Sequence, residues 1–191
     1  MMPAAVDIIF DLDGTLVDSA THIAAILSDV AGREIKASDA RQYLTMGGEQ
    51  LVSALLGDAN LDQNLAKFRE YYLGLPTPDC LYPSVREGLK RLRDAGRTMA
   101  LCSNKPQILC EKTVTDLGLD QFAVVLGSAC KPCIIPLAAA LYVGDSKVDQ
   151  ETAALSGIPF AFVTYGYSEP GFVTDAKSFD TFPELVDHIL Q

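Results

Sequence analysis

A chain of 191 residues, 49% hydrophobic and 21% charged, can bury a core without disulfide or metal staples, which excludes a disordered or fibrous class. Acidic residues outnumber basic ones, 25 to 15, and the formal charge of −10 argues against nucleic acid and anionic membrane as partners; an anionic substrate would have to be met by a few placed donors and a metal. Five scattered cysteines (Cys80, Cys102, Cys110, Cys130, Cys133) suit reduced thiols, residues 1–10 carry no secretory pattern, and the apolar run 134–143 is too short to span a bilayer, so a cytoplasmic protein is expected.

Residues 6–10, Val-Asp-Ile-Ile-Phe, predict a buried strand that ends in the acidic turn Asp11-Leu12-Asp13-Gly14-Thr15. The next strand is too distant for a single crossover. Apolar-periodic segments at 23–30, 50–56 and 65–73 predict an inserted helical cap, residues 19–82, with its return hinge near Pro76, Pro78 and Pro83. Beyond it, 86–95 predicts a helix stopped by Gly96, 98–102 a second strand, and 106–117 a helix closed by Gly118. Residues 123–126 and 140–143 are further strands, 151–156 a helix before Gly157, 160–163 a fifth strand and 183–190 a closing helix. Strands alternating with helices imply an α/β protein: a doubly wound, parallel, Rossmann-like sheet built from 1–18 and 83–191, with the cap inserted.

Ligands of such a sheet bind at the carboxyl ends of its strands, near the point where strand order reverses. Four polar clusters directly follow predicted strands: Asp11 to Thr15, Ser103-Asn104-Lys105, Lys131-Pro132, and Gly144-Asp145-Ser146 with Asp149. Folding would bring them to one edge, where Asp11, Asp13, Asp145 and Asp149 would repel one another. A hard divalent cation resolves that conflict, and Mg²⁺ favours a few carboxylates together with waters and substrate phosphate oxygens. Metal and lysine would offset the repulsion between a carboxylate nucleophile and an anionic phosphoryl group. An aspartate can form an acyl phosphate, and a second carboxyl can protonate the leaving alkoxide and then deprotonate the attacking water.

Asp11-Leu12-Asp13-Gly14-Thr15-Leu16-Val17-Asp18 resembles the first motif of the haloacid dehalogenase superfamily, and Gly144-Asp145-Ser146-x-x-Asp149 its last. Ser103-Asn104-Lys105 and Lys131-Pro132 match the second and third, in the family's order across nearly the whole chain. The resemblance implies Asp11 as nucleophile and Asp13 as general acid/base, with Ser103, Asn104 and Lys131 binding the phosphoryl group. It further implies that Asp11, the backbone carbonyl of Asp13, and Asp145 hold Mg²⁺, with Asp149 supporting that site. Asp13 argues for a phosphatase over a dehalogenase, whose halide leaves without a proton. The cap position resembles the small helical-cap subclass, and residues 149–157 with Thr164-Tyr165-Gly166-Tyr167 look most like phosphoglycolate phosphatases. The Met46-Gly47-Gly48 bend resembles a specificity loop, with an ordinary helix–helix turn as the alternative. The partner expected is a small phosphorylated metabolite, met by a monomer or homodimer.

Other readings stand beside this one. Only 14 positions separate Lys131 from Asp145, near the minimum for a parallel crossover, which predicts a missing or rudimentary helix, a displaced Lys131 and an uncovered sheet face that a partner subunit would cover. That departure alone supports a degenerate, non-enzymatic relative. A sugar phosphomutase shares the core motifs, but the cap shows no arginine near Met46-Gly47-Gly48 of the kind those enzymes use. Phosphonate cleavage would need a cap lysine, and neither Lys36 nor Lys67 is suitably placed. Lys105 reads as a helix-start or supporting residue, His22 and His188 as helix-face residues, and Cys130-x-x-Cys133 lacks the further ligands of a metal site.

Overall fold

The computed structural model describes residues 5–128, 131, 139–168, 172 and 174–191. Strand β1 (Val6–Phe10) is apolar except for Asp7, and its Ile9 and Phe10 are completely buried, as a strand covered on both faces requires. It pairs in parallel with β2 (Met99–Cys102) on one side and β4 (Ala139–Gly144) on the other. β3 (Phe122–Leu126), β5 (Phe160–Val163) and β6 (Lys177–Phe179) complete a six-stranded parallel sheet in the order β3-β2-β1-β4-β5-β6. Strand order reverses at β1, so the ends of β1 and β4 border the crevice in which an open sheet admits its ligand.

Helices α5 (Val85–Asp94) and α8 (Phe182–Ile189) cover one face, where Leu89, Leu92, Phe182 and Val186 pack on Ile8, Phe10 and Leu101. Helix α7 (Lys147–Ser156) lies on the other, its Ala153 joining Ile9, Ala100 and Tyr142. Helix α6 (Gln107–Asp116) serves two cores: Cys110 packs into the sheet core and Leu109 into the cap.

The cap comprises α1 (Ala20–Ala31), α2 (Ala37–Arg41), α3 (Gly48–Leu56) and α4 (Leu61–Gly74), around a core of their own that includes Ile23, Leu27, Leu51, Phe68 and Tyr72. The chain leaves and re-enters the sheet domain at adjoining points. Val17 bridges Leu81 in antiparallel fashion, Asp18 N–H donates to the Cys80 carbonyl at 2.7 Å, and Tyr82 N–H donates to Leu16 at 3.0 Å.

Two elements escape sequence periodicity. Helix α2 is shorter than two turns, and β6 is a three-residue edge strand with two exposed side chains. Helix α7 begins at Lys147, earlier than 151, because Ser146 and Asp149 form a reciprocal capping box that satisfies its first N–H groups. The helix expected to be missing or rudimentary falls on residues 132–138, which, with Cys130 and Cys133, lie outside the described residues. Among the described residues no helix is long and apolar enough to cross a membrane.

Candidate active site

Asp11 follows β1 directly, and its N–H donates to the Val143 carbonyl of β4 at 2.9 Å, which fixes it at the switch point of the sheet. The chain then turns sharply: the N–H groups of Leu16 and Val17 both donate to the Leu12 carbonyl, at 2.9 and 3.1 Å. Gly14 has φ +92°, and a Cβ there would lie 2.3 Å from Asp145 Oδ2. Only glycine allows both the left-handed backbone and this approach of the first loop to the last motif.

Lys131 reaches Asp11. Its Nζ lies 2.6 Å from Asp11 Oδ1 and 2.5 Å from Asp149 Oδ1, with the Tyr142 hydroxyl at 3.2 Å. Burial opposes the ammonium charge, but Asp11 and Asp149 outweigh it and hold the lysine well above its ordinary pKa. The Lys131 backbone is held too, its N–H donating to Asn104 Oδ1 at 2.6 Å. Asn104 in turn donates to the Thr45 carbonyl of the cap at 3.2 Å. Ser103 is buried at the end of β2, and its Oγ accepts the Lys105 N–H at 3.2 Å. The expected displacement of Lys131 is not found: the short connection still delivers its ammonium to Asp11.

Asp13 faces the cap side. Its Oδ1 accepts from Ser19 Oγ at 2.5 Å and from Lys105 Nζ at 2.9 Å. Lys105 is buried, and Asp13 with Tyr72 overcomes the cost of burial to raise its pKa. Asp11 and Asp13 therefore belong to separate ion pairs, one with each lysine.

One oxygen from each of Asp11, Asp145 and Asp149 lies within 4.8 Å of the others, and all three residues are buried. Burial pushes Asp11 up to about 7, Lys131 opposing and Asp149 adding repulsion. Burial and the same neighbouring carboxylates push Asp145 well above the usual carboxylate range. Among the described residues Asp145 accepts hydrogen bonds from neutral donors alone: Thr15 Oγ1 at 3.3 Å and Tyr167 N–H at 2.5 Å. Hard oxygen donors whose ionised charge exceeds what one ammonium can balance fit a small divalent cation.

A cavity of about 440 Å³ opens between core and cap, with Asn104 and Lys131 at the core side and Met46, Gly47, Gly48 and Arg69 at the cap side. A smaller recess, also bordered by Gly47 and Gly48, runs to Asp13, Lys105 and Tyr72. The Met46-Gly47-Gly48 bend therefore borders the cleft. Arg41, five residues before it, is turned away, donating to the Gly166 carbonyl at 3.1 Å and stacking 4.7 Å from the Tyr167 ring centroid. Arg69, distant in sequence, supplies the cleft with the arginine that the sequence around the bend lacks.

The family model for haloacid dehalogenase-like hydrolases matches residues 8–163. The chain belongs to that family. It is 33% identical to a phosphoglycolate phosphatase of Rhodobacter capsulatus, the alignment covering 87% of this chain and 86% of that one. A phosphoglycolate phosphatase of Cereibacter sphaeroides is 31% identical over 96% and 98% of the respective chains. The fold matches the crystal structure of a predicted phosphoglycolate phosphatase from Haemophilus somnus with a TM-score of 0.84, 25% identity, and 98% and 99% coverage. The chain is a phosphoric monoester hydrolase.

Several residues that touch these aspartates carry no signal in the sequence. Tyr142 reads as an ordinary strand aromatic, yet its hydroxyl donates to Asp149 Oδ1 at 3.1 Å. Tyr167 supplies the N–H that holds Asp145, and its hydroxyl donates to Asp18 Oδ1 at 2.9 Å. The motif neighbour of Asn104 gave a signal for Lys105, but nothing in the sequence pairs it with Asp13. His22 edges the Tyr72 ring at 5.3 Å, and burial lowers its pKa; His188 lies on α8 beside Lys177. Neither histidine enters the cleft lining.

Proposed function

We propose that this chain is a Mg²⁺-dependent phosphomonoesterase that acts on small phosphorylated metabolites through an aspartyl-phosphate intermediate, with 2-phosphoglycolate as the expected substrate. The observation that carries the reading is the pair of aspartates two positions apart, buried Asp11 with Lys131 and half-buried Asp13 with Lys105. In this reading an Asp11 carboxylate oxygen attacks phosphorus, the ester P–O bond breaks, and Asp13 gives its proton to the departing alkoxide. Water that Asp13 deprotonates then attacks the phosphoryl group and releases Asp11. Ser103, Asn104 and Lys131 would hold the phosphoryl oxygens. Asp11, the Asp13 carbonyl, and Asp145 would hold Mg²⁺, with Asp149 anchoring Lys131 beside them. When bound, the ion would supply positive charge against the phosphoryl group.

The substrate assignment rests on the relatives' names and on Arg69, which makes no hydrogen bond or ion pair among the described residues and could meet a substrate carboxylate from the cap side, with the Met46-Gly47-Gly48 bend selecting its shape. Free, protonated thiols support a cytoplasmic setting: burial pushes Cys80 up to about 11 and Cys110 up to about 12.

Initial rates on a magnesium-supplemented panel of 2-phosphoglycolate, other phosphocarboxylates and sugar phosphates test the reading. Asp11→Asn should lose at least about a thousandfold in kcat while staying folded. Undiminished magnesium-dependent hydrolysis by that variant would sink the assignment, and isomerised sugar phosphate in place of free phosphate would favour a phosphomutase.

A further inference from the structure

Lys105 is a buried cation to which the phosphoryl chemistry assigns no task. It stands just past β2, with Nζ 2.9 Å from Asp13 Oδ1 and 3.0 Å from the Tyr72 hydroxyl. Asp13 belongs to the core, whereas Tyr72 belongs to cap helix α4 and is 1% exposed. The Tyr72 hydroxyl also contacts Thr113 Oγ1 on α6 at 2.9 Å. Thr113 spends its single hydroxyl proton on the Leu109 carbonyl at 2.8 Å, so in the contact with Tyr72 it can only accept. Tyr72 must then donate to Thr113, which leaves its oxygen lone pairs to accept from Lys105. The whole chain acquires one direction: Lys105 N–H to Tyr72, Tyr72 O–H to Thr113, Thr113 O–H to Leu109.

Lysine carries three rotatable donors on a flexible four-carbon stem, so one carboxylate partner does not define where its ammonium sits. A second acceptor does, and that acceptor comes from the cap. The other side-chain partner of Asp13 among the described residues is Ser19, the N-cap residue of the first cap helix. Both bonds that orient the Asp13 carboxylate therefore depend on where the cap lies.

We propose that Lys105 and Tyr72 are positioning residues: the cap tyrosine holds Lys105, and Lys105 holds Asp13, so the carboxylate takes its working orientation only while α4 is docked on α6. The inference rests on Asp13 being the acid/base of the proposed reaction. Lifting the cap removes Tyr72 from both Lys105 and Thr113, and catalysis is switched off at Asp13 while the phosphoryl-binding residues of the core stay in place.

Tyr72→Phe keeps the ring packing against Phe68 and His22 and deletes only the hydroxyl. Its kcat should fall about tenfold with KM within about twofold of the parent, the size expected for losing one hydrogen bond to a charged group. Thr113→Val, which removes the acceptor that aims the hydroxyl, should give the same split at smaller size. Arg41→Ala removes the cap's contact with Gly166 while leaving Tyr72, Lys105 and the packing of α4 on α6 intact, and it should raise KM with kcat within about twofold. Lys105→Met combined with Tyr72→Phe should be no slower than Lys105→Met alone. A Tyr72→Phe enzyme with parental kcat, or one whose split matches Arg41→Ala, would overturn the proposal, as would additive losses in the double variant. A crystal structure of Tyr72→Phe decides the link without turnover: Asp13 in more than one rotamer supports it, and an unchanged Asp13–Lys105 pair refutes it. If the parent hydrolyses no phosphomonoester, the functional reading falls on that result, and the structure of the variant still judges the link.

Discussion

Each carboxylate oxygen of Asp149 meets a different neighbour. Oδ2 accepts from the Ser146 N–H at 3.2 Å and from its hydroxyl at 2.5 Å, while Oδ1 meets Lys131 and Tyr142. Asp149 thus caps α7 with one oxygen and meets Lys131 with the other. At Asp11 the carboxylate pays for burial with a pKa lifted from 3.8 to about 7. A carboxylate raised in the folded state adds stability below its unfolded pKa and loses it as pH rises through the folded one. In metal-free protein Asp11 should therefore lower stability progressively between about pH 4 and pH 7. Magnesium competes with the proton, so its addition should raise the melting temperature more at pH 8 than at pH 5. Calorimetric scans with magnesium and with chelator check this; an equal shift at both pH values would mean that the buried carboxylates are not its ligands.

At the scale of elements, the site is assembled where local rules and tertiary contact agree. The first loop is legible because Asp-x-Asp-Gly after an apolar strand is a dense local signal, and Gly14 is needed there for the approach to Asp145. Helix α7 is legible only in part, since a capping box is read from two side chains and periodicity from many. Ser146→Ala removes both the cap on Asp149 N–H and one of the two donors to Asp149 Oδ2. It should cost about 1 kcal/mol of stability in urea denaturation, with a drop in kcat as Asp149 loses its anchor. A variant that loses stability alone would confine Asp149 to helix capping. Helix α6 was predicted as a helix, but its division between two cores, Cys110 inward and Leu109 toward the cap, arises only when both cores are present.

At the scale of the whole molecule, the cap leaves and rejoins the sheet domain at neighbouring points, Asp18 N–H lying 2.7 Å from the Cys80 carbonyl. Replacing residues 19–79 by a short glycine linker should leave a core that unfolds cooperatively, because the two hydrophobic clusters on the sheet draw on α5, α7 and α8 and include no residue of the replaced segment. Hydrolysis should fall at least about a hundredfold, since the cap brings the closing wall of the cleft. Urea denaturation and initial rates check both parts, and a truncated core with parental kcat would remove the cap from catalysis.

The alternation of strands and helices, the inserted helical segment, and the four acidic and basic clusters are properties of the sequence alone, because each depends on a few neighbouring residues and on side-chain period. They determined the parallel α/β fold and the residues that gather at one sheet edge. Only the tertiary structure decided the company those residues keep. Lys131 reaches Asp11 despite a short connection, Lys105 binds Asp13 across 92 positions, Tyr72 comes down from the cap, and Arg69 enters the cleft beside a bend with no arginine turned toward it. Those pairings join residues far apart along the chain, and distance in sequence carries no trace of distance in space until the sheet and cap have packed.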